Sequence, residues 1–210
     1  MLGVPPDRYA PRELRAAHFL RQVDRTTADR YYRQCILPDV VEDVREQVRQ
    51  LRPSHWPRNL VTIVSDSPEL IELTARAFTP TRILVLYSEQ KKVYLEPALE
   101  AVRRDVPGCD PIPHSFHMGP SMIADMREGI DTFTAGVSPE DLVFDLTPGN
   151  KEMSLALAME LAPPGAWLFY LRHQFEGRTP KPFTEEAVLS IAPSRETSFL
   201  VPVAASSERR

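Results

Sequence analysis

A short polar segment between an apolar stretch and a helical pattern has the residue types to bind an anion. Residues 142–146 read LVFDL, and residues 147–151 read TPGNK. After them, apolar residues recur at helical spacing from Met153 to Met159. This order predicts a buried strand, a tight turn and the start of a helix, where free backbone N–H groups and the helix dipole favour a phosphate or another anion. Lys151 adds a positive charge at the same place.

The segment 147–151 matches neither of two common nucleotide-binding loops. It lacks the Gly-Lys-Ser/Thr end of a Walker A loop, because Glu152 follows Lys151. It also lacks the Gly-x-Gly-x-x-Gly pattern of dinucleotide-binding enzymes. An ordinary strand-to-helix connection with a solvated lysine therefore stays open as the alternative interpretation.

Composition narrows the classes of ligand and the cellular setting. The chain has 25 Lys and Arg residues and 29 Asp and Glu residues, so its net charge is −4. This charge argues against the binding of long nucleic acid, but a small anion can still bind in a local positive pocket. It has only two cysteines, Cys35 and Cys109, which is typical of a reducing compartment. It has no apolar run long enough for a membrane helix, and its N-terminus does not resemble a signal peptide. We therefore expect a cytoplasmic protein. His114 and His117 have no further histidine or cysteine near them in sequence, and we predict neither a metal site nor a cofactor.

From Leu60 onwards, strand patterns alternate with helix patterns. The predicted strands are 60–64, 82–87, 111–116, 142–146 and 167–172, followed by a closing hairpin of 187–191 and 198–203. This alternation predicts an α/β fold, a doubly wound, mostly parallel, Rossmann-like sheet with an N-terminal helical extension and a C-terminal hairpin. The usual strand order, 3-2-1-4-5-6, places the proline-rich third strand at an edge, where a missing N–H group is tolerated.

Residues 1–58 differ from the rest and predict a helical extension or linker ahead of a Rossmann domain at 59–210. Pro38–Leu51 reads as an amphipathic helix that docks on the main domain or on a partner subunit. Its apolar stripe comprises Val40, Val41, Val44, Val48 and Leu51. Arg12 and His18 match the loose spacing of the HEPN ribonucleases, but a four-helix HEPN domain needs on the order of 100 residues, so we do not expect a nuclease here.

The predicted strand order brings two polar loops together. The first and fourth strands lie side by side at the topological switch point, and doubly wound folds bind ligands outside the carboxyl ends of the strands there. The eight candidate ligand-binding residues are Ser65, Asp66, Ser67, Thr147, Pro148, Gly149, Asn150 and Lys151. Ser67 is also the predicted N-cap of the next helix, with Pro68 as its first residue. Because both loops are polar and precede helices, their convergence favours a nucleotide or phosphate site.

At these residues the sequence resembles a CARF domain, the CRISPR-associated Rossmann-fold sensor. Two segments carry the resemblance: VTIVSDSPELIELTARAF, followed by RILVLYSEQ, and VFDLTPGNKEMSLALAME. The last of these is similar to the family's Thr-Gly-Gly-Thr-Lys-x-Met pattern after the fourth strand and is the more specific of the two. The resemblance extends over residues 60–172, roughly half of the chain.

The resemblance implies a homodimer that binds a cyclic oligoadenylate, usually cyclic tetra-adenylate, across its two-fold axis. Type III CRISPR complexes make these rings on sensing foreign RNA, so the implied role is antiviral signalling. The matching positions are Ser65 and Ser67 in the first loop and Thr147, Gly149, Asn150 and Lys151 in the second. The sequence departs from the family at Pro148, where glycine is frequent and proline removes one backbone N–H donor, and at Asn150, which replaces a common threonine.

Two functions remain open at this point. The first is a sensor whose output lies in another domain or in a partner, since no effector domain is recognisable in these residues. The second is a metal-independent ring nuclease, in which a ribose 2′-OH attacks the neighbouring phosphate and a cation stabilises the developing charge. Lys151 has the charge for that role, but Asp66 is the only candidate base in the two loops, so we assign no catalytic residue. An ordinary dinucleotide-binding enzyme would need the missing glycine pattern.

Overall fold

A six-stranded sheet forms the centre of the computed structural model, which describes residues 5–51, 56–177 and 179–194. The strands are β1 (Asn59–Ile63), β2 (Arg82–Ser88), β3 (Asp110–Phe116), β4 (Leu142–Asp145), β5 (Trp167–Arg172), β6 (Phe175–Glu176), β7 (Thr179–Pro180) and β8 (Glu186–Ile191). The central sheet has the order β3-β2-β1-β4-β5-β8, with β8 antiparallel to β5 and the other strands parallel. The predicted α/β fold class and strand order are confirmed, and β3 lies at the edge that its prolines favour.

Helices cover both faces of this sheet and create two hydrophobic cores. They are α1 (Arg12–Leu20), α2 (Arg25–Tyr31), α3 (Leu37–Leu51), α4 (Glu69–Phe78), α5 (Lys92–Asp105), α6 (Met122–Thr134) and α7 (Lys151–Ala156), with π-helical turns at Tyr32–Ile36 and Leu157–Leu161. One core lies between the sheet and α3, α4 and α5, and the other lies between the sheet and α6 and α7. Successive strand residues alternate between them, as Leu60 and Val61 do, because side chains of a strand point to opposite faces.

The predicted amphipathic helix of the N-terminal extension is present as α3 and packs on α4 and β8. The buried residues of its predicted stripe are Val40, Val41, Val44 and Val48. Leu51 is 50% exposed, because it is the last residue of the helix and extends beyond the covered face. Gln47 also binds the backbone at the start of β8, since its amide accepts from the N–H of Ala187 at 2.8 Å and donates to the carbonyl of Glu185 at 3.1 Å. Residues before 59 thus contribute a layer of the fold, while the domain boundary at this point stays a prediction.

Strand β8 is the first half of the predicted closing hairpin, and it pairs with β5. Trp167 lies opposite Ile191, and Arg172 lies opposite Glu186. The second predicted strand, 198–203, lies outside the described residues. The short strands β6 and β7 form a separate two-stranded hairpin after β5. In the described ranges no helix is both long and apolar enough to cross a membrane.

Candidate functional site

The two candidate loops leave neighbouring parallel strands at the same edge of the sheet. Strands β1 and β4 are direct neighbours, and the hydroxyl of Thr62 donates to the Asp145 carboxyl at 3.2 Å immediately before the loops begin. Gly149 of the second loop lies over the end of β1, because a Cβ added to it would be 3.6 Å from Cδ1 of Ile63. The structure therefore brings residues 65–67 and 147–151 to one place, and their role as ligand contacts stays a prediction.

A buried carboxyl group anchors the second loop. Asp145 is fully buried, and it accepts hydrogen bonds from the N–H of Thr147 at 3.0 Å and from the hydroxyl of Thr62. Burial raises the pKa of Asp145 to about 6, although its hydrogen bonds to Thr147, Thr74 and Thr62 act in the opposite direction. Thr147 extends this anchor to β5, since its hydroxyl oxygen accepts from the N–H of Leu171 at 2.9 Å. Asp145 was predicted only as part of the strand 142–146. Its place at the end of an apolar run is the feature of the sequence that points to a buried carboxyl.

Gly149 and Asn150 explain the conformation of the turn before α7. Gly149 has φ +92°, a backbone conformation that L side chains rarely adopt, and a Cβ there would also be 3.3 Å from Sδ of Met153. Asn150 is the N-cap of α7, because its side-chain oxygen accepts from the N–H of Met153 at 2.9 Å. The N–H groups of Lys151 and Glu152 precede the first intrahelical bond and point out of the helix end.

Lys151 is exposed at this helix N-terminus and forms no ion pair with any residue in the described ranges. Pro148, in contrast, is buried and has no N–H to offer a ligand. The cation and the free amide groups of α7 therefore supply the positive potential of the second loop.

The first loop carries its own charges. Ser65 accepts from the N–H of Ser67 at 3.2 Å, which folds the loop back on itself. The predicted cap by Ser67 is wrong: α4 begins at Glu69, Pro68 holds the cap position, and no side chain caps the helix, because Ser67 belongs to this turn. Asp66 is exposed, and its carboxylate pairs with the ammonium of Lys91 at 2.6 Å.

Two cations at the first loop were not among the predicted site residues. The hydrogen bond and charge of Lys91 lower the pKa of Asp66, and a guanidinium N–H of Arg25 donates to the Asp66 carbonyl at 2.7 Å. Lys91 follows β2, so the rule that sheet ligands bind at the carboxyl ends of strands would have found it. Arg25 comes from α2, whose position over the sheet edge has no signal in the sequence.

A cleft of about 790 Å³ lies beside the two loops, between the N-terminal helices and the carboxyl ends of the strands. Ser67 and Thr147 contribute to its wall, whereas the other six candidate residues do not. Its remaining walls come from α1, α2, the Tyr32–Ile36 turn, the start of α4, the end of β5, the β6–β7 hairpin and the segment before β8 that carries Pro182 and Glu185. The candidate residues therefore divide between this cleft and the exposed loop surface around Lys151.

The histidines singled out in the sequence lie away from the switch point. His114 is a residue of the edge strand β3 and its ring contacts the carbonyl of Asp125 at 2.9 Å, while His117 pairs with the Asp125 carboxylate at 2.8 Å. Strand β2 separates β3 from β1. Among the described residues, no group of three or more His, Cys, Asp or Glu side chains could hold a metal ion.

Comparison with known proteins gives distant structural similarities only. No protein-family model matches the chain, and no curated protein matches it in sequence. Can2 from Sulfobacillus thermosulfidooxidans, solved in complex with cyclic tetra-adenylate, matches 54% of this chain at 19% identity with a TM-score of 0.42, and the match spans 32% of the length of Can2. MtNAS, solved in complex with MTA and tNA, matches 87% of this chain and 70% of its own at 12% identity, with a TM-score of 0.45. The rRNA methyltransferase aviRa from Streptomyces viridochromogenes matches 74% of this chain and 83% of its own at 14% identity, with a TM-score of 0.38.

Proposed function

We propose that this chain is a sensor of cyclic oligoadenylates, with cyclic tetra-adenylate as its ring, in type III CRISPR antiviral defence. The observation that carries the proposal is the exposed Lys151 at the N-terminus of α7, beside the loop of residues 65–67 and without an ion pair to any described residue. A helix N-terminus with free N–H groups and a lysine favours phosphate binding. The loop of residues 65–67, which follows β1, supplies the hydroxyl groups of Ser65 and Ser67 at the same edge of the sheet. The similarity of residues 143–160 to the CARF pattern selects a cyclic oligoadenylate from among phosphate ligands.

We propose that a second copy of this chain completes the site. Lys151, Leu155 and Met159 are four residues apart and therefore lie along one side of a helical segment. Leu155 is 58% exposed and Met159 is 67% exposed, so this side carries apolar surface that a partner would bury. If two chains pack against each other along this side, a two-fold dimer brings the two Lys151 side chains near its axis. A cyclic tetranucleotide has four phosphates and two-fold symmetry, so it matches a site on that axis.

The proposal predicts a preference for cyclic over linear ligands. We expect cyclic tetra-adenylate to bind at least about tenfold more tightly than linear tetra-adenylate, because a closed ring loses less conformational freedom on binding. Isothermal titration calorimetry of the full chain with both ligands measures the difference. Equal affinities, or no heat with any cyclic oligoadenylate, would contradict the proposal.

Cleavage of the ring is the competing function, and we expect the ring to remain intact. No histidine lies in either loop, and the pKa of Asp66 is lowered by its pair with Lys91, which makes Asp66 a weak proton acceptor at neutral pH. Asp145 is buried below the loop, and Pro148 lacks the N–H that would stabilise a developing phosphorane charge.

Labelled cyclic tetra-adenylate incubated for hours with excess protein and EDTA should therefore be recovered unchanged. Appearance of di-adenylate with a 2′,3′-cyclic phosphate, lost in Lys151→Ala, would show a ring nuclease instead.

A further inference from the structure

The cleft beside the loops contains a carboxyl oxygen that lacks a hydrogen-bond donor. Glu185 is only 9% exposed and forms part of the cleft wall, and its Oε2 atom has no hydrogen-bond partner among the described residues. Burial raises the pKa of Glu185 to about 7, although the backbone N–H groups around it act in the opposite direction. A buried carboxylate oxygen without a donor is costly, so a ligand that brings a donor to Oε2 would be stabilised there.

The positive charges of the cleft are already neutralised by other acids. Arg172 pairs with Glu186 at 2.6 Å. Two more arginines of the wall are paired as well, Arg25 with Asp29 at 3.8 Å and Arg33 with Glu72 at 3.5 Å. Glu185 forms no such pair in the described part of the chain, and the nearby Arg12 is held by Asp43 at 2.6 and 3.0 Å. The uncompensated charge at the wall is therefore negative.

Aromatic rings make up much of the remaining wall. The rings that line the cleft belong to Phe19, Tyr32, Tyr170, His173 and Phe175. Burial lowers the pKa of His173, so its ring is neutral at physiological pH, and its Nδ1 atom also has no partner among the described residues. Aromatic faces attract cations and stack on planar groups.

We propose that this cleft is a binding site for a small primary amine with an aromatic or apolar body. The ammonium group donates to Oε2 of Glu185 in a charge-assisted hydrogen bond, and the body of the ligand packs against the aromatic wall. The site is separate from the phosphate site proposed at Lys151, because a polyanion would meet the uncompensated carboxylate here. The two sites share only the loop residues Ser67 and Thr147.

Matched probes test the inference with the unaltered full chain. Tyramine carries an ammonium group on a phenol ring, tyrosol replaces that group by a hydroxyl, and 4-hydroxyphenylacetate replaces it by a carboxylate. At pH 8 we expect tyramine to bind at least about tenfold more tightly than tyrosol, and 4-hydroxyphenylacetate not to bind, by calorimetry or ligand-observed NMR. Equal binding of tyramine and tyrosol, or no binding of tyramine at millimolar concentration, would overturn the proposal.

Two variants locate the binding event. Glu185→Gln should weaken tyramine binding by at least about tenfold, whereas Glu96→Gln, the same change on the exposed side of α5, should leave it unaltered. Phe175→Ala removes an exposed ring of the wall and should weaken tyramine binding even if Glu185→Gln does not fold. Unchanged tyramine affinity in both folded Glu185→Gln and Phe175→Ala would place the amine elsewhere and refute the assignment.

Discussion

Replacing Lys151 by alanine is expected to weaken the binding of cyclic tetra-adenylate by at least ~1.5 kcal/mol, or roughly tenfold. In the proposed dimer the substitution removes two charge-assisted phosphate contacts, one from each chain. Lys151 has no ion pair within the described ranges, so its loss leaves no buried acid uncompensated and the fold should keep its stability. Calorimetry on the wild type and the variant measures the change in affinity, and thermal unfolding verifies the fold.

A matched control distinguishes the loss of the Lys151 contact from the loss of one positive charge anywhere on the protein. Arg103→Ala removes one positive charge near the end of α5, where Arg103 forms an ion pair with exposed Glu96. It should leave ring affinity within about twofold of the wild type at physiological salt, because exposed charges further apart than about 8 Å are largely screened. If Lys151→Ala binds the ring as tightly as the wild type, the ligand binds elsewhere.

The free energy of unfolding of the wild type is expected to fall as Asp145 ionises with rising pH. Asp145→Asn should lack this part of the pH dependence. The pKa of Asp145 is about 6 in the folded chain against an ordinary value of 3.8, so the folded state holds this proton more tightly than the unfolded state. Its contribution to stability is therefore fully present below pH 3.8, decreases as the pH rises towards 6 and is lost above it. A shift of about two pKa units corresponds to about 3 kcal/mol.

The measurement is urea unfolding of the wild type and Asp145→Asn at pH values between 4 and 7. The free energy of unfolding of Asp145→Asn, minus that of the wild type, should rise by about 2 kcal/mol across this range, because the amide cannot ionise and the unfolded wild type is already partly ionised at pH 4. Asp131→Asn, the same change at an exposed position of α6, serves as the matched control. A difference between Asp145→Asn and wild type that stays constant from pH 4 to pH 7 would show that the buried carboxyl is not destabilised by its charge.

The strand order could be predicted because each strand has a local signal. The continuous apolar run around Leu60 requires cover on both faces, and the prolines of β3 are tolerated only at an edge. Once the order was known, the meeting of the two loops at the switch point followed from topology. The amphipathic helix α3 and its end at Leu51 were found from the spacing of its valines, although Leu51, which was assigned to the buried stripe, is 50% exposed.

The surroundings of the candidate site could not be predicted in the same way. The cleft depends on where α1 and α2 pack, and that packing is decided by contacts between residues far apart in sequence, such as Arg25 with the Asp66 carbonyl. Glu185 precedes an exposed strand and has no local pattern that marks it as buried. The anchoring of Thr147 by Asp145 and Leu171 likewise joins three separate segments of chain.

The ratio of chains to ring is the most direct test of the central proposal. Native mass spectrometry and calorimetric titration of the full chain with cyclic tetra-adenylate should give one ring per two chains. The reason is that a second copy completes the proposed site through the side of α7 and the following π-helical turn that carries Leu155 and Met159. One ring per single chain would contradict a shared two-fold site. No complex with any cyclic oligoadenylate would contradict the sensor function itself.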